Sequence, residues 1–387
     1  MVRGPFGGSL TKALFKPTGY AIYEHQHAIN DQFFDFRYFL DDAKFKEMAR
    51  FSIQPGDLIM SCSGTMGRVA RVPSDAPKGI INQALLKLSP GRKLEPDFLL
   101  RWMASPGFQE QLSATTMGVA IKNVASVKTL KSLTIPLPPL EEQQRIVAIL
   151  DEAFEGLTRA RTHAEANLQN ARELFGSYLD LVARQHAEDY GLIAVEQLAA
   201  EVTDGDHMPP PKADSGIPFI TISNVKKETR QIDFSDTFLV PESYFMSLKD
   251  KRRPQAGDVL YTVTGSFGIP ILIEVDQPFC FQRHIALVRP KVGINSGWLC
   301  YMLLSPFAFR QADDGATGTA QRTVSLKVLR GLLLPNTPVE IQSGLAANLH
   351  GRWEASQIVV ENYRAKIQSI DALRQSLLQK AFAGELT

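Results

Sequence analysis

The sequence predicts an α+β fold: two repeated β-rich α/β domains, each followed by a long helix, the two helices pairing as an antiparallel coiled coil. Three observations predict it. Pro55-Gly-Asp-Leu-Ile-Met-Ser-Cys-Ser-Gly-Thr-Met-Gly67 recurs as Ala256-Gly-Asp-Val-Leu-Tyr-Thr-Val-Thr-Gly-Ser-Phe-Gly268, at an offset of 201. Ile135-Pro-Leu-Pro-Pro-Leu-Glu-Glu-Gln143 recurs as Leu334-Pro-Asn-Thr-Pro-Val-Glu-Ile-Gln342, at an offset of 199. Between them Ser105-Pro106 and Gly118 recur as Ser305-Pro306 and Gly318, at 200. Order is kept while the offset drifts by two residues, which marks an internal repeat. Finally, apolar residues after each proline-rich junction recur with a period near 3.5, the seam of a coiled coil.

Residues 1–139 form the first domain. Leu58–Met60 reads as a strand opened by the Gly56-Asp57 turn, and a Gly/Ser/Thr loop follows. Aligning Gly216-Ile-Pro-Phe219 with Gly19-Tyr-Ala-Ile22 sets Met1 opposite about Leu198, so this domain is expected to lack its opening strand. Pro136, Pro138 and Pro139 punctuate its end. Residues 140–190 form the central helix, with Glu141 and Glu142 in the first turn, where the macrodipole favours carboxylates. Ile146, Leu150, Ala153, Leu157, Ala160, Ala164, Asn167, Ala171, Leu174, Tyr178 and Leu181 alternate at spacings of four and three. From Gln143 to Ala187 that gives a rod of roughly 65–70 Å at ~1.5 Å per residue. Asn167 reads as a polar register position. Residues 191–337 form the second domain, with Val259–Tyr261 as the matching strand. Residues 338–387 form the second helix, its seam clearest at Val360, Tyr363, Ile367, Ile370, Leu373, Leu377 and Ala381. Gly344 and Gly351 weaken its first turns. Its junction departs from the first copy: Asn336 and Thr337 replace Leu137 and Pro138, and Ile341 replaces Glu142.

Composition narrows the class. With 44% apolar and 21% charged residues, the chain is neither disordered nor fibrous. Its longest apolar runs, such as Ile271–Ile273 and Leu332–Leu334, fall far short of the ~20 residues of a membrane span. Met1-Val-Arg-Gly-Pro-Phe-Gly-Gly8 has no apolar signal core. Cys62, Cys280 and Cys300 lack zinc-ligand spacing and argue for a reducing compartment, so the cytoplasm is the expected location. Net charge is +1, but residues 1–140 carry 17 Lys/Arg against 11 Asp/Glu, and residues 141–192 carry 5 against 10. A basic segment therefore precedes an acidic helical one.

Taken with the duplicated plan, Pro138-Pro139-Leu-Glu-Glu-Gln143-Gln-Arg-Ile146 and Leu377-Leu-Gln-Lys-Ala-Phe-Ala-Gly384 make the chain resemble type I restriction–modification DNA specificity subunits, over essentially its whole length. Leu174-Phe-Gly-Ser177-Tyr-Leu179 faintly echoes the C-terminal signature. The resemblance implies that each globular domain is a target-recognition domain reading one half of a bipartite site in double-stranded DNA. It implies that the helices fix the gap and dock two methyltransferase subunits, with endonuclease/translocase subunits as further partners. It also implies no chemistry and no cofactor in this chain, with S-adenosylmethionine on the partner methyltransferase. Glu141, Gln143, Arg145, Glu340 and Gln342 are the candidate docking residues. The rod would span about two turns of duplex at roughly 34–36 Å per turn. The domains differ at most aligned positions, so the two half-sites should be unrelated.

DNA affinity needs Lys and Arg on phosphates, and specificity needs Arg, Lys, Asn, Gln, Ser or Thr at base edges. In the first domain the candidates are Lys12, Lys16, the Gly-flanked loop residues Ser63, Thr65 and Arg68, then Asn82, Gln83, Lys122 and Asn123. In the second they are Lys212, Lys226, Lys227, Thr264, Ser266, Gln282, Arg283, His284, Thr319, Gln321 and Arg322. Gln282-Arg283 is the strongest pair, because both side chains make bidentate base contacts. The Ser/Thr/Gly loops read equally as plain turns. The densest basic run, Lys249-Asp-Lys-Arg-Arg253, reads first as a solvated face. His207, before Met208-Pro-Pro-Pro211, reads as structural or surface.

No Asn-Pro-Pro-aromatic methyltransferase motif, GxxxxGK[ST] loop or GxGxxG after a strand is present. Glu274-Val-Asp276 has an acid where the nuclease pattern acid-x-Lys needs a cation. Two other classes stay open: a protein-binding scaffold using the acidic helix, and an unrecognised nuclease on the duplicated domain. The acid pair available to the latter, Asp57 and Asp258, sits at a turn where Asp is expected structurally.

Overall fold

The computed structural model describes residues 1–6, 9–63, 65–114, 127–274, 277–319 and 321–386. The chain divides into two compact units, Met1–Glu165 with Ala365–Thr387, and Ala166–Arg364. The first unit runs through β1 (Val2–Arg3), β2 (Tyr20–Tyr23), α1 (His25–Asn30), β3 (Phe39–Leu40), α2 (Asp42–Glu47), β4 (Leu58–Ser61), β5 (Val69–Arg71), β6 (Gly79–Ile81), β7 (Leu85–Leu88), α3 (Pro96–Met103), α4 (Pro106–Ala114) and α5 (Val127–Leu130). The helix α6 (Leu140–Tyr190) follows. The second unit contains β8 (Leu192–Ala194), α7 (Val195–Leu198), β9 (Ala199–Asp204), β10 (Ile217–Ile220), β11 (Val225–Lys226), β12 (Gln231–Ile232), β13 (Phe238–Val240) and α8 (Glu242–Ser247). It continues through β14 (Val259–Thr262), β15 (Pro270–Leu272), β16 (Cys280–Phe281), β17 (Ile285–Pro290), α9 (Ser296–Leu304), α10 (Pro306–Gly315), α11 (Leu326–Gly331) and β18 (Leu333–Pro335), and α12 (Val339–Ala383) closes the chain.

Each unit is built on the same pair of sheets. An antiparallel four-stranded sheet has the order β1-β7-β4-β5 in the first unit and β9-β17-β14-β15 in the second. A three-stranded sheet, β3-β2-β6 or β13-β10-β16, has its last pair parallel. The two strands foreseen from the sequence are central because they are apolar at every position. Alternation along β4 sends Leu58 and Met60 into a core with Leu99 and Trp102, and Ile59 into another with Ala21 and Tyr23. β14 repeats the split, with Val259 and Tyr261 on one side and Leu260 on the other. A strand covered on both faces loses the polar alternation of a half-exposed one.

β8, which opens the second unit and pairs with β18, has no counterpart among the described residues of the first unit, where β1 takes the sheet edge that β9 takes in the second. Val2 and Arg3 pair with Lys87 and Leu86, as Thr203 and Asp204 of β9 pair with Leu287 and Ala286. The edge place is therefore filled, by two residues instead of six. Gly19 and Gly216 are equivalent at an offset of 197 and β1 and β9 at 201, because the loop between the two strands is four residues longer in the first unit.

The long helices run antiparallel within each unit. In the first, Ile146, Leu150 and Phe154 of α6 share a core with Leu378 and Ala381 of α12. Arg161 also pairs there with Asp371. In the second, Phe175, Leu179 and Ala183 share a core with Ala346 and Leu349, and the Tyr178 hydroxyl donates to Asn348 Oδ1 at 3.3 Å. α6 spans the 140–190 expected for the central helix and extends three residues beyond each end of the Gln143–Ala187 rod. The expected seam is wrong in places: Leu174 and Leu181 are 69% and 63% exposed, Leu373 is 48% exposed, and Asn167 faces solvent. The buried residues beyond Ala164 are Ala171, Phe175, Leu179 and Ala183. Here α6 packs on a globular core as well as on α12, and steps of four replace the 3.5 period of a free coiled coil.

Candidate nucleic-acid interface

In the second unit four loop segments are closed on one another by backbone hydrogen bonds. Arg283 N–H donates to Asp206 O, and Val263 N–H donates to His284 O at 2.9 Å. Gly265 N–H donates to Arg322 O and Val324 N–H to Val263 O. Thr264 and Thr317 each bridge to Thr323. The fold thus gathers Thr264, Ser266, Gln282, Arg283, His284, Gln321 and Arg322 into one rim at the ends of β9, β14 and β16. Thr319, exposed, lies in the same 317–323 loop. The left-handed backbone at Gly265 (φ 70°) and Gly318 (φ 102°) permits these tight reversals.

The rim residues differ in what they have to offer. Arg283 is exposed, Gln282 is half-buried, and neither side chain has a hydrogen-bond partner among the described residues. His284 is held neutral at pH 7, because burial first and the neighbouring Arg283 second depress its pKa. Arg322 is committed: it pairs with Asp313 and lies 5.7 Å from the Phe267 ring. Thr264 is buried, in contact with Thr323 Oγ1 at 3.5 Å. Ser266 is exposed and its carbonyl accepts from the Thr262 hydroxyl at 2.9 Å. Lys212, Lys226 and Lys227 lie elsewhere. Lys212 sits 5.3 Å from the Phe238 ring, Lys226 of β11 pairs with Asp233 at 2.9 Å, and Lys227 is exposed in the β11–β12 turn. In the basic run, Arg252 pairs with Asp204 and Arg253 with Asp250. His207 Nε2 lies 2.6 Å from Asp204 Oδ2.

The first unit repeats the rim in shorter form. Cys62 N–H donates to Ala84 O at 2.8 Å, and the Ser61 hydroxyl donates to Thr65 O at 2.6 Å. Arg68 and Thr65 are exposed at its tip and Ser63 is half-buried. Gln83 is exposed, and its carbonyl accepts from Arg3 Nε at 3.4 Å. Arg3 is a cation at the rim that nothing but its basic character singles out in the sequence. Asn82 turns inward, its Oδ1 accepting from Ala84 N–H at 3.0 Å, which is an Asx turn. Lys12 is exposed, and Lys16 faces Asp41 at 4.0 Å, both away from this rim by sequence and sheet. Lys122 and Asn123 lie outside the described residues.

Two of the expected docking residues instead join helix to domain. Gln143 is fully buried: its Oε1 accepts from Glu95 N–H at 2.9 Å, and its Nε2 donates to Lys93 O and Pro138 O. Gln342 repeats the arrangement, accepting from Asn295 N–H and donating to Thr337 O, both at 2.9 Å. With both ends of the amide engaged, neither faces a partner. Glu141, Arg145 and Glu340 are exposed, and Arg145 lies 3.7 Å from Glu142.

The acid pair Asp57 and Asp258 caps its own turns, accepting from Gln54 N–H and Gln255 N–H at 2.9 Å. Asp258 also holds Arg289 through two hydrogen bonds. Burial pushes the Cys62, Cys280 and Cys300 thiols up to about 11, 12 and 11. Among the described residues no group of three or more His, Cys, Asp or Glu side chains could hold a metal ion, and no helix is long and apolar enough to cross a membrane.

A duplicated fold with a polar loop rim in each half defines a class of paired recognition modules joined by helices. Residues 16–168 match the family model of the type I restriction modification DNA specificity domain. The chain is 21% identical over 362 residues to the EcoBI type I restriction enzyme specificity subunit of Escherichia coli, covering 87% of this chain and 74% of that one. It is 23% identical over 333 residues to the MjaVIII specificity subunit of Methanocaldococcus jannaschii, covering 80% and 75%. Its fold is shared with the HsdS subunit of Thermoanaerobacter tengcongensis, at a TM-score of 0.60 and 20% identity, over 95% of this chain and 91% of that one. A chain from a structural study of complex assembly and conformational transition in a type I R-M system superposes at a TM-score of 0.73 and 22% identity, over 87% and 83%. Residues 16–168 thus match a type I restriction modification DNA specificity domain, and the chain as a whole is similar to specificity subunits of that kind.

Proposed function

We propose that this chain is the sequence reader of a type I restriction–modification complex. Each unit reads one half of a bipartite site in double-stranded DNA, the two helices fix the gap between the halves, and their exposed faces dock two methyltransferase subunits. Endonuclease/translocase subunits join the same assembly. The chain itself performs no chemistry and carries no cofactor, and S-adenosylmethionine belongs to the methyltransferase partner. The observation that carries this reading is the rim found in both units, with Arg68 and Gln83 exposed in one and Gln282 and Arg283 unengaged in the other. Arginine and glutamine are suited to bidentate contacts with guanine and adenine in the major groove. Polar loops held by backbone hydrogen bonds keep such side chains pre-set.

The test is a methylome. Co-expression with the neighbouring methyltransferase subunit, followed by sequencing for modified bases, should yield a two-part motif with a fixed unspecified gap. A contiguous motif would refute two-domain reading. A stable complex without methylation, and with no salt-dependent DNA affinity, would favour the scaffold instead.

A further inference from the structure

The basic run Lys249-Asp-Lys-Arg-Arg253 lies against the rim of the second unit. Its residues Asp250–Arg252 form one 3₁₀ turn between α8 and β14. Two contacts fasten α8 and this turn to the segment that leaves β9. Arg252 Nη2 donates to Asp204 Oδ1 at 3.4 Å, and the Tyr244 hydroxyl donates to Asp206 Oδ2. The same segment closes the rim: Asp206 N–H donates to Phe281 O, and Asp206 O accepts from Arg283 N–H at 3.0 Å. The basic turn and Arg283 are therefore held by one short stretch of chain, Asp204-Gly-Asp206.

The four cations of the run divide. Arg253 Nε donates to Leu248 O at 3.1 Å and its Nη2 pairs with Asp250 at 2.7 Å, while Arg252 is held by Asp204. The two arginines thus fix the turn. Lys249 and Lys251 are exposed, and neither ammonium has a hydrogen-bond or ion-pair partner among the described residues. The acids around them are engaged: Asp250 with Arg253, Asp204 with Arg252 and His207, and Asp206 with Tyr244. The first unit repeats the turn as Ala49–Phe51. Ser52 N–H donates there to Ala49 O, as Arg253 N–H donates to Asp250 O, which sets the offset at 201. Arg50 stands at the place of Lys251, exposed, its guanidinium likewise without a partner among the described residues. A merely solvated face needs neither the arginine fastening nor a cation recurring at the same place in the other unit.

We propose that this turn is a phosphate-binding site in each unit: Lys249 and Lys251 hold phosphodiester groups of the duplex beside the bases that the second rim reads, and Arg50 holds one beside the first. The inference rests on the reading of the chain as a DNA reader, and it adds where the duplex backbone lies and which cations hold it. Phosphate contacts set register and orientation without carrying sequence, and each neutralised phosphate releases counterions. A lysine acts there as a point charge, which suits a backbone oxygen better than a bidentate base contact. The second unit, with two free lysines on its turn, grips the backbone more strongly than the first, with one arginine.

The test uses the full chain in complex with its methyltransferase subunit, a labelled duplex carrying the methylated motif, and a second duplex with that motif scrambled. Anisotropy gives the affinity for each between about 50 and 200 mM salt. Each phosphate contact contributes about 0.9 to the slope of log K against log salt. Lys249→Gln with Lys251→Gln should lower that slope by about 1.8, which is roughly sixtyfold in affinity at ~0.1 M salt, equally on both duplexes. Arg50→Gln should lower it by about 0.9. Lys249→Arg with Lys251→Arg should restore the slope, because charge alone is required. The methylated motif should be the same in all three variants. A wild-type complex that binds DNA while the glutamine variants keep its slope overturns the inference and leaves the sequence reader standing. A wild-type complex with no salt-dependent DNA affinity overturns both. Loss of the methyltransferase from the glutamine variants assigns the turn to a protein partner and overturns the phosphate site.

Discussion

Gln143→Leu separates a clasp from a docking contact. The substitution keeps the approximate volume and removes three hydrogen bonds, leaving Glu95 N–H, Lys93 O and Pro138 O unpaired. Each such group costs about 1–3 kcal/mol when fully buried. Lys93 is exposed and Glu95 and Pro138 are half-buried, so water replaces part of the loss. The net cost should be about 2–4 kcal/mol, or roughly 4–16 °C of melting temperature for a unit of this size. Differential scanning calorimetry reads the shift, and amide exchange at Glu95 reads the local loosening. An unchanged melt with an unchanged Glu95 exchange rate, together with lost methyltransferase binding, would refute the clasp and return Gln143 to a partner interface.

Three further outcomes are expected. Arg283→Ala should cost about 1–3 kcal/mol of discrimination at one base pair and relax one half-site only, as read by methylome sequencing; relaxation in both halves would contradict independent reading. Lowering the pH from 7 to 5 should destabilise the second unit through His284. Its native pKa lies below the unfolded value of 6.5, so its contribution is intact above 6.5 and is lost as pH falls through the native pKa. His284→Asn should flatten that slope in urea titrations across pH. Ala160→Pro interrupts α6 at a cost of ~3 kcal/mol or more and should abolish methyltransferase assembly, so normal methylation by the variant would refute a structural role for the helix.

What the sequence revealed follows from how local each signal is. The strands at Leu58 and Val259 were legible because a Gly-Asp turn opens an apolar run in both copies. The helices were legible because no proline interrupts a long periodic pattern. The seam beyond Ala171 was not, since which face is buried depends on a domain packed from elsewhere in the chain. The rim itself was legible as polar loops, but its division of labour was not. Arg322 looks identical to Arg283 until Asp313 is found beside it. Asn82 looks like a base reader until its amide oxygen is found on Ala84 N–H. The role of Gln143 had one available signal: a polar residue repeated as Gln342 in the first turn of an amphipathic helix, where a surface residue has no reason to recur.

The repeat preserves some chemistry and discards the rest, and the division is informative. Asp57 and Asp258 cap the same turn. Ser61 and Thr262 donate to the same loop carbonyl, and Ser105 and Ser305 cap the same helix. Gln143 and Gln342 clasp the same junction. All of these act on the chain's own backbone. At the rim the pattern reverses: Asn82-Gln83-Ala84 stands where Gln282-Arg283-His284 does, Cys62 and Val263 N–H donating to Ala84 O and His284 O in turn. Even Arg101, ion-paired with Asp151 on α6, corresponds to Tyr301, which meets His350 Nδ1 at 3.0 Å on α12. Residues that satisfy their own backbone cannot change without leaving a buried group unpaired. Rim side chains in solvent carry no such penalty, so one scaffold can present two unrelated surfaces. A single half-site read twice would need the opposite: a repeated rim on a freely drifting frame.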